Sequence, residues 1–354
     1  MSGISGDFKA VYDALYYLAY HFARAVLAFL QRDSYLYWPF IVSTLAIMAV
    51  AAFFAARAAG GAKTWRGQFA DYFSARVWWH PSARADYRLY FANAIFLPLV
   101  FGWLLVSDAR VMALLDSLFG MGAAAAPAGP PLAMGLASKL LYTIVFFVAY
   151  DFGRFAAHCL LHDVPALWEF HKVHHSAEVL TPMTAFRAHP LDLLVMAWVP
   201  ALTTGLATWA FNAFSGGPVG FYTFLGLHVV LWAVNLIDNL RHSHVWVTYG
   251  RAAGRWIVSP AHHQLHHSLE ARHMAGGRGG CNRGFSLAVW DRLYGTLREP
   301  EARPEIFRMG LGDGTEAAWH SVRGMYLRPF GGLLKSFSRR DAPASGSASP
   351  PPRP

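Results

Sequence analysis

Histidine is the residue whose spacing carries chemistry in this chain. Of its 17 histidines, fourteen fall between His158 and His273. The pattern His-x-x-His-His occurs twice, as His171/His174/His175 and His263/His266/His267, and the pair His158 and His162 lies just upstream. On a helix, positions i, i+3 and i+4 share one face, so each triplet aims three imidazoles at one point. Convergent neutral imidazoles with little else around them suit a bound transition metal. Solvated or packed histidine would account for an isolated pair, but not for three sets in series.

The histidines between and beside the sets divide by position. His242, in Asp238-Asn-Leu-Arg-His-Ser-His244, stands where a further ligand is needed, and His244 falls off that helical face. His189 reads either as an extra ligand or as a partner to a ligand's far nitrogen; His273 reads either way too. His262 breaks the i, i+3, i+4 pattern, and His21, His80 and His320 are unremarkable. His228 lies inside an apolar run, where an ionisable group is costly and often functional, or else is a satisfied polar residue between helices. Eight histidines in the three sets, with His242 as a ninth, exceed what one ion holds, so two ions fit the number. Imidazole suits iron, zinc and copper alike. A ligating imidazole usually donates its other N–H to a carboxylate or carbonyl, and Asp151, Asp163, Glu169, Glu178, Asp192, Asp238 and Asp291 are all near enough in sequence to serve.

The elements that must position these rings belong to a bilayer. The 354 residues are 55% hydrophobic and 14% charged, with mean hydropathy +0.28, whereas soluble domains carry about 25% charged residues. The net charge of +9 is spread as arginine through loops between apolar runs, with no basic-aromatic groove, so lipid contact explains it better than nucleic acid. Cys159 and Cys281 make no disulfide framework, and Met1–Gln31 lacks the pattern of a cleaved signal peptide.

Four apolar runs approach the roughly 20 residues of a crossing helix: Tyr37–Ala59, Leu89–Val106, Leu136–Tyr150 and Leu191–Phe211. Val219–Ile237 reads as a fifth, and residues 10–31 as an interfacial amphipathic helix. Arg57, Lys63, Arg66, Arg76, Arg84 and Arg88 follow the first span and put that loop on the cytoplasmic side. The connection Ser107–Ser138 should face away. Residues after Tyr150 then return to the cytoplasm, and the two spans between His175 and His242 re-emerge where they started. All three histidine sets are thereby expected on one face.

With those residues in order, the chain resembles the fatty acid hydroxylase/sterol desaturase superfamily. The likeness runs through Glu169-Phe-His-Lys-Val-His-His-Ser176, Thr184-Ala-Phe-Arg-Ala-His-Pro190, Arg241-His-Ser-His244, Ser259-Pro-Ala-His-His-Gln-Leu-His-His-Ser268 and Asn282-Arg-Gly-Phe-Ser-Leu-Ala-Val-Trp-Asp-Arg-Leu-Tyr-Gly-Thr296, covering roughly residues 140–300. It implies an integral-membrane oxygenase with two non-haem iron ions, which takes electrons from a reductase, ferredoxin or cytochrome-type partner. Such an enzyme uses dioxygen to hydroxylate or desaturate an unactivated C–H position of a lipid. Carried over, the ligands are His158, His162, His171, His174, His175, His242, His263, His266 and His267, with His189, His273 and Asp238 as further ligands or partners of ligands. Two departures stand out: Asp238 occupies a position that is often His, and Ala271–Gly280 is a Gly/Arg run.

The expected fold is all-α, a polytopic membrane helical bundle with a helical cap on the cytoplasmic face. Residues 1–135 form an N-terminal membrane region of one interfacial helix and two spans. Residues 136–300 form the catalytic region, 301–340 a cytoplasmic extension and 341–354 a disordered tail. The expected location is a bacterial inner membrane. Two rival readings are a membrane metal transporter, which needs ionisable ligands near the bilayer midplane, and a zinc-stabilised structural protein, which seldom needs nine ligands.

Overall fold

In the computed structural model, which describes residues 2–58, 63–120, 135–274 and 280–340, apolar helices lead into a cap of short helices and loops. The expected disordered tail, 341–354, and the middle of the Gly/Arg run, 275–279, lie outside the described residues. Helix α1 is Ser2–Val26, α2 Trp38–Ala58, α3 Pro81–Phe96, α4 Asp108–Phe119, α5 Leu136–Asp163, α6 Pro165–His175 and α7 Pro190–Ser215. After the two-residue strands β1 (Thr223–Phe224) and β2 (Leu227–His228), α8 spans Val229–Asp238, α9 Pro260–His266, α10 Val289–Tyr294 and α11 Val322–Arg340.

Four stretches are long and apolar enough to cross a membrane: Trp38–Ala58, Pro81–Phe119, Leu136–Asp163 and Pro190–Ser215. The antiparallel pair α5 and α7 is the spine. Thr203 Oγ1 donates to the Ala149 carbonyl at 2.7 Å, and the Tyr142 and Thr208 hydroxyls meet at 2.8 Å. Where the two helices cross most closely, a Cβ on Gly153 would lie 2.6 Å from Pro200 Cα, so only glycine permits that approach. Helix α5 has 28 residues, about 42 Å at 1.5 Å per residue. A bilayer core is about 30 Å thick, so its last turns, with His158 and His162, reach beyond the span into the cap.

The second crossing, expected at Leu89–Val106, falls within the apolar stretch Pro81–Phe119, where α3 breaks at Leu97–Phe101, a π-helical turn containing Pro98, and the chain continues through α4. Trp198 Nε1 donates to the Leu104 carbonyl and Trp209 Nε1 to Asp116 Oδ1, so 104–116 descends alongside α7 and is part of the crossing, not of a loop. The fifth span is shorter than expected. Helix α8 has 10 residues, about 15 Å, half a bilayer core. It packs along α2, where Ser43 Oγ donates to the Leu236 carbonyl and Phe40 meets Trp232 edge-on. The rest of the returning limb is the β1–β2 hairpin.

His228 begins α8. Its Nδ1 accepts from the Val230 amide and its Nε2 donates to the Thr143 carbonyl at 2.9 Å, the satisfied alternative for a histidine at membrane depth. The cap is tied down by α11, whose Met325 packs with Ala85, Leu89, Val173 and Trp319 between α3 and α6.

Candidate metal centre

Each histidine set is placed by a helix with its own start signal. Helix α6 begins at Pro165, with its fixed φ, and turns His171, His174 and His175 inward, all buried. Helix α9 begins at Ser259-Pro260, as the sequence indicates. His262 at its third position accepts from the Ser259 amide through Nδ1 at 3.1 Å, completing a capping box. That contact turns His262 away and leaves His263, His266 and His267 facing α6. His242 arrives from the turn after α8.

Nine histidines thereby form two adjoining groups. One holds His158, His162, His171, His175 and His266; the other holds His174, His242, His263 and His267. Within each, the candidate ligand atoms lie within 4.8 Å of one another. All nine expected ligand positions are brought together. The remaining three stand outside both groups. His189 caps α7 by accepting from the Leu191 amide and reaches the Tyr326 carbonyl through Nε2. His273 is held by the Ser268 hydroxyl and Glu305. Asp238 pairs with Arg241 at 2.7 Å. His244 stacks edge-on against Tyr72, away from the centre.

Four rings have their far nitrogen fixed. His171 Nδ1 donates to Asp192 Oδ2 at 2.8 Å, His158 Nδ1 to the Arg283 carbonyl at 2.8 Å, His266 Nδ1 to the Cys281 carbonyl at 2.6 Å and His174 Nδ1 to the Arg187 carbonyl at 3.2 Å. Each Nε2 is then a bare lone pair pointing inward. Asp192 is the only one of the seven carboxylates considered that hydrogen-bonds a ring of the two groups, among the described residues. Others act one step back. Asp291 accepts from the Arg283 and Gly284 amides, and Asp151 from the Ser286 and Leu287 amides, so both shape the loop that presents the Cys281 and Arg283 carbonyls. Arg187, fully buried, holds Asp86 at 2.6 Å and also reaches Ser176 and the Val173 carbonyl, locking its own carbonyl beneath His174.

Burial keeps six of the nine rings neutral. It holds His175, His242, His263, His266 and His267 well below the ordinary imidazole value, with neighbouring rings adding to it, and it takes His174 down to about 3. Neutral imidazole is the form that binds a metal.

The spacing fits metal ions. His263 Nε2 lies 2.8 Å from His242 Nε2, His242 Nε2 lies 3.2 Å from His174 Nε2, and His162 Nε2 lies 3.3 Å from His266 Nε2. With metal–nitrogen bonds of about 2.1 Å, neighbouring ligands stand about 3.0 Å apart in an octahedron and about 3.4 Å in a tetrahedron. Two lone pairs at such separations repel unless a proton or a metal cation lies between them, and the buried Nε2 atoms of His171, His175 and His267 have no hydrogen-bond partner, as open metal ligands would.

Two cavities flank this layer of rings. One, of about 280 Å³, lies on the side of the spans, with Tyr35, Tyr150, Arg154, Leu193, Met196 and Phe285 among its walls and His158, His171, His174, His242 and His263 at its floor. The other, of about 320 Å³, lies on the cap side against His162, His175, His266 and His267, walled by Trp168, Leu269 and Met274. A third, apolar groove of about 310 Å³ runs along α8 and shares Asp238, Arg241 and Phe285 with the first.

The fatty acid hydroxylase family model matches residues 143–296, the stretch that holds all nine histidines. An ornithine lipid hydroxylase of Rhizobium tropici is 27% identical over 48% of this chain and 45% of its own length. A Delta(7)-sterol-C5(6)-desaturase of Nicotiana tabacum is 28% identical over 47% and 53%, and an alkylglycerol monooxygenase of Danio rerio is 24% identical over 67% and 52%. The chain spans about half the length of these curated relatives. No solved structure matches it.

Proposed function

We propose that this chain, which belongs to the fatty acid hydroxylase/sterol desaturase superfamily through residues 143–296 and is an integral membrane protein, is an oxygenase that hydroxylates or desaturates a lipid. The observation that carries the reading is the convergence of nine histidines, eight buried and His162 half-buried, into two adjoining groups. The ligands are His158, His162, His171, His175 and His266 for one ion and His174, His242, His263 and His267 for the other. The metal is iron, supported by the hydroxylase and desaturase relatives. Catalysis then resides within residues 136–300, with 1–135 supplying spans and 301–340 bracing the cap.

When bound, a dinuclear iron centre supplies reduction of dioxygen by two external electrons and two protons. The outcome is either one oxygen atom inserted into a C–H bond with release of one water, or two hydrogens removed with release of two. The protein residues provide the rest. The span-side cavity holds the lipid above His158, His174 and His263, and the apolar groove along α8 gives it a lateral way in from the bilayer. Leu193, Met196 and Phe285 exclude water from the reacting C–H, while Asp192 and the three carbonyls hold the rings. Electrons come from a reductase, ferredoxin or cytochrome-type protein approaching the cap, on the side of Trp168. The relatives' names support a lipid substrate, a hydroxylated polar lipid, a sterol or an ether lipid being the nearest types. The cap is assigned to the cytoplasmic face of a bacterial inner membrane.

A transporter reading is disfavoured, because His228, the histidine at mid-span, is engaged through both nitrogens. Metal analysis of the purified chain should give two irons per molecule; a single zinc would reject the reading. Lipid mass spectrometry of cells bearing the intact protein or His174→Ala should then show a species one oxygen heavier, or two hydrogens lighter, only with the intact protein.

A further inference from the structure

Arg154 is a cation of the span-side cavity that no carboxylate among the described residues holds at ion-pair distance. It stands four residues before His158 on α5, on the same face and one turn, about 6 Å, back along the axis. Among the described residues its guanidinium makes no hydrogen bond and meets no carboxylate at ion-pair distance; what it touches are aromatic faces. Its Cζ lies 3.8 Å from the centre of the Phe285 ring and 5.8 Å from that of Tyr150. The other arginine of the cavity, Arg241, is neutralised by Asp238 at 2.7 Å and also donates to the Phe285 carbonyl. The carboxylate nearest the floor, Asp192, is taken by His171. Asp238 and Asp151 act on this guanidinium only at longer range, so its five N–H donors face a mostly apolar chamber without an acceptor, at a cost, and match an oxygen acceptor in a fixed fork geometry. Tyr35 and Tyr150 add phenolic groups to the same wall.

We propose that Arg154 is a specificity-determining residue: it hydrogen-bonds an oxygen-bearing polar group of the lipid substrate, a carboxylate or a neutral acceptor, and so seats that end of the molecule beside the histidine layer. This rests on the oxygenase reading of the same site, but it predicts a preference in binding that needs no turnover. The purified full-length protein as isolated, held in nanodiscs without reductant or dioxygen so that no turnover occurs, would be offered radiolabelled palmitate, 1-hexadecanol and hexadecane. The intact chain should retain palmitate at least about tenfold more tightly than hexadecane, the scale of a hydrogen bond to a charged group. Arg154→Met should erase that difference while leaving hexadecane binding within about twofold, and Arg154→Lys should keep part of it. Hexadecanol binding like palmitate would assign a neutral acceptor; palmitate alone gaining would assign an oxyanion. Equal retention of palmitate and hexadecane by the intact chain overturns the proposal, as does a preference that survives Arg154→Met. If Arg154→Met does not fold, by thermal unfolding, Arg154→Gln takes its place under the same criteria. Iron content and lipid turnover, measured separately on the loaded protein, decide the oxygenase reading independently.

Discussion

The bond between His171 and Asp192 is the place where one atom most directly tests the centre. Asp192 accepts from Nδ1 at 2.8 Å and both side chains are buried, so the carboxylate fixes the tautomer and adds basicity to the inward Nε2. Asp192→Asn keeps the shape but presents an amide that can point its NH₂ at the ring. We expect iron affinity or activity to fall about 10- to 100-fold, with iron per chain read by elemental analysis. Cys281 offers an opposite test, of inertness. Burial, with Asp291 adding to it, pushes its thiol up to about 12. At pH 8 a thiol with that value is ionised to about one part in 10,000, and thiolate is the reactive form. Maleimide should therefore leave Cys281 untouched in the native protein and modify it after denaturation; rapid labelling of the native chain would contradict the buried position. Eight of the nine rings were legible in the sequence because i, i+3 and i+4 spacing is a property of side chains, and His242 was legible from its place at the end of the fifth apolar run. The carbonyls of Arg187, Cys281 and Arg283 were not, since every residue carries one and only the fold decides which meets an imidazole. Asp192 was one of seven eligible carboxylates, and choosing among them needs the path from α6 to α7. His189 and His273 were ambiguous for the same reason: their partners are Tyr326, Ser268 and Glu305, the first and last distant in sequence.

At the scale of elements, the α5–α7 crossing determines where His158 and His162 end up. Gly153 lies five residues before His158, at the tightest point of that crossing, where added carbon meets Pro200 backbone. A Gly153→Val substitution must push the helices apart, an overpacking cost of about 1–3 kcal/mol. The expected result is a lower thermal midpoint together with reduced iron occupancy, because the shift is delivered to the adjoining turn. An unchanged midpoint would mean that the helices are not packed there. Long apolar runs with clear ends were readable, hence α2, α5 and α7. The second crossing was readable in its apolar middle, Leu89–Val106, although polar Asn93 lies within it, because Asn93 is satisfied by the Ala188 carbonyl and Tyr326. The fifth span, by contrast, was overextended. Composition over 219–237 is apolar enough for a helix, but Gly220 precedes a hairpin whose turn residue Gly226 has φ +81°, so helix begins only at Val229.

For the whole molecule, the question is how the two ends face the membrane. Helix α2 ends where Tyr72 packs with Leu240 and Val245 of the cap side, so the basic stretch with Lys63, Arg66 and Arg76 shares an end with the nine histidines. Positive charge near span ends marks the cytoplasmic side, so the proposed orientation predicts that the far end, around Ser215, faces outward. The two native cysteines are buried and give little background to a thiol-labelling experiment in intact cells. Ser215→Cys and Ala302→Cys, both at exposed positions, sit at the two ends. A membrane-impermeant maleimide should label Ser215→Cys from outside, and Ala302→Cys only after permeabilisation. The reverse pattern would turn the protein over in its membrane and remove the cap from reach of a cytoplasmic electron donor. Labelling of Ala302→Cys after permeabilisation with none at Ser215→Cys, the protein being present, would place Ser215 against lipid or a neighbouring subunit and leave the assignment of the cap side standing.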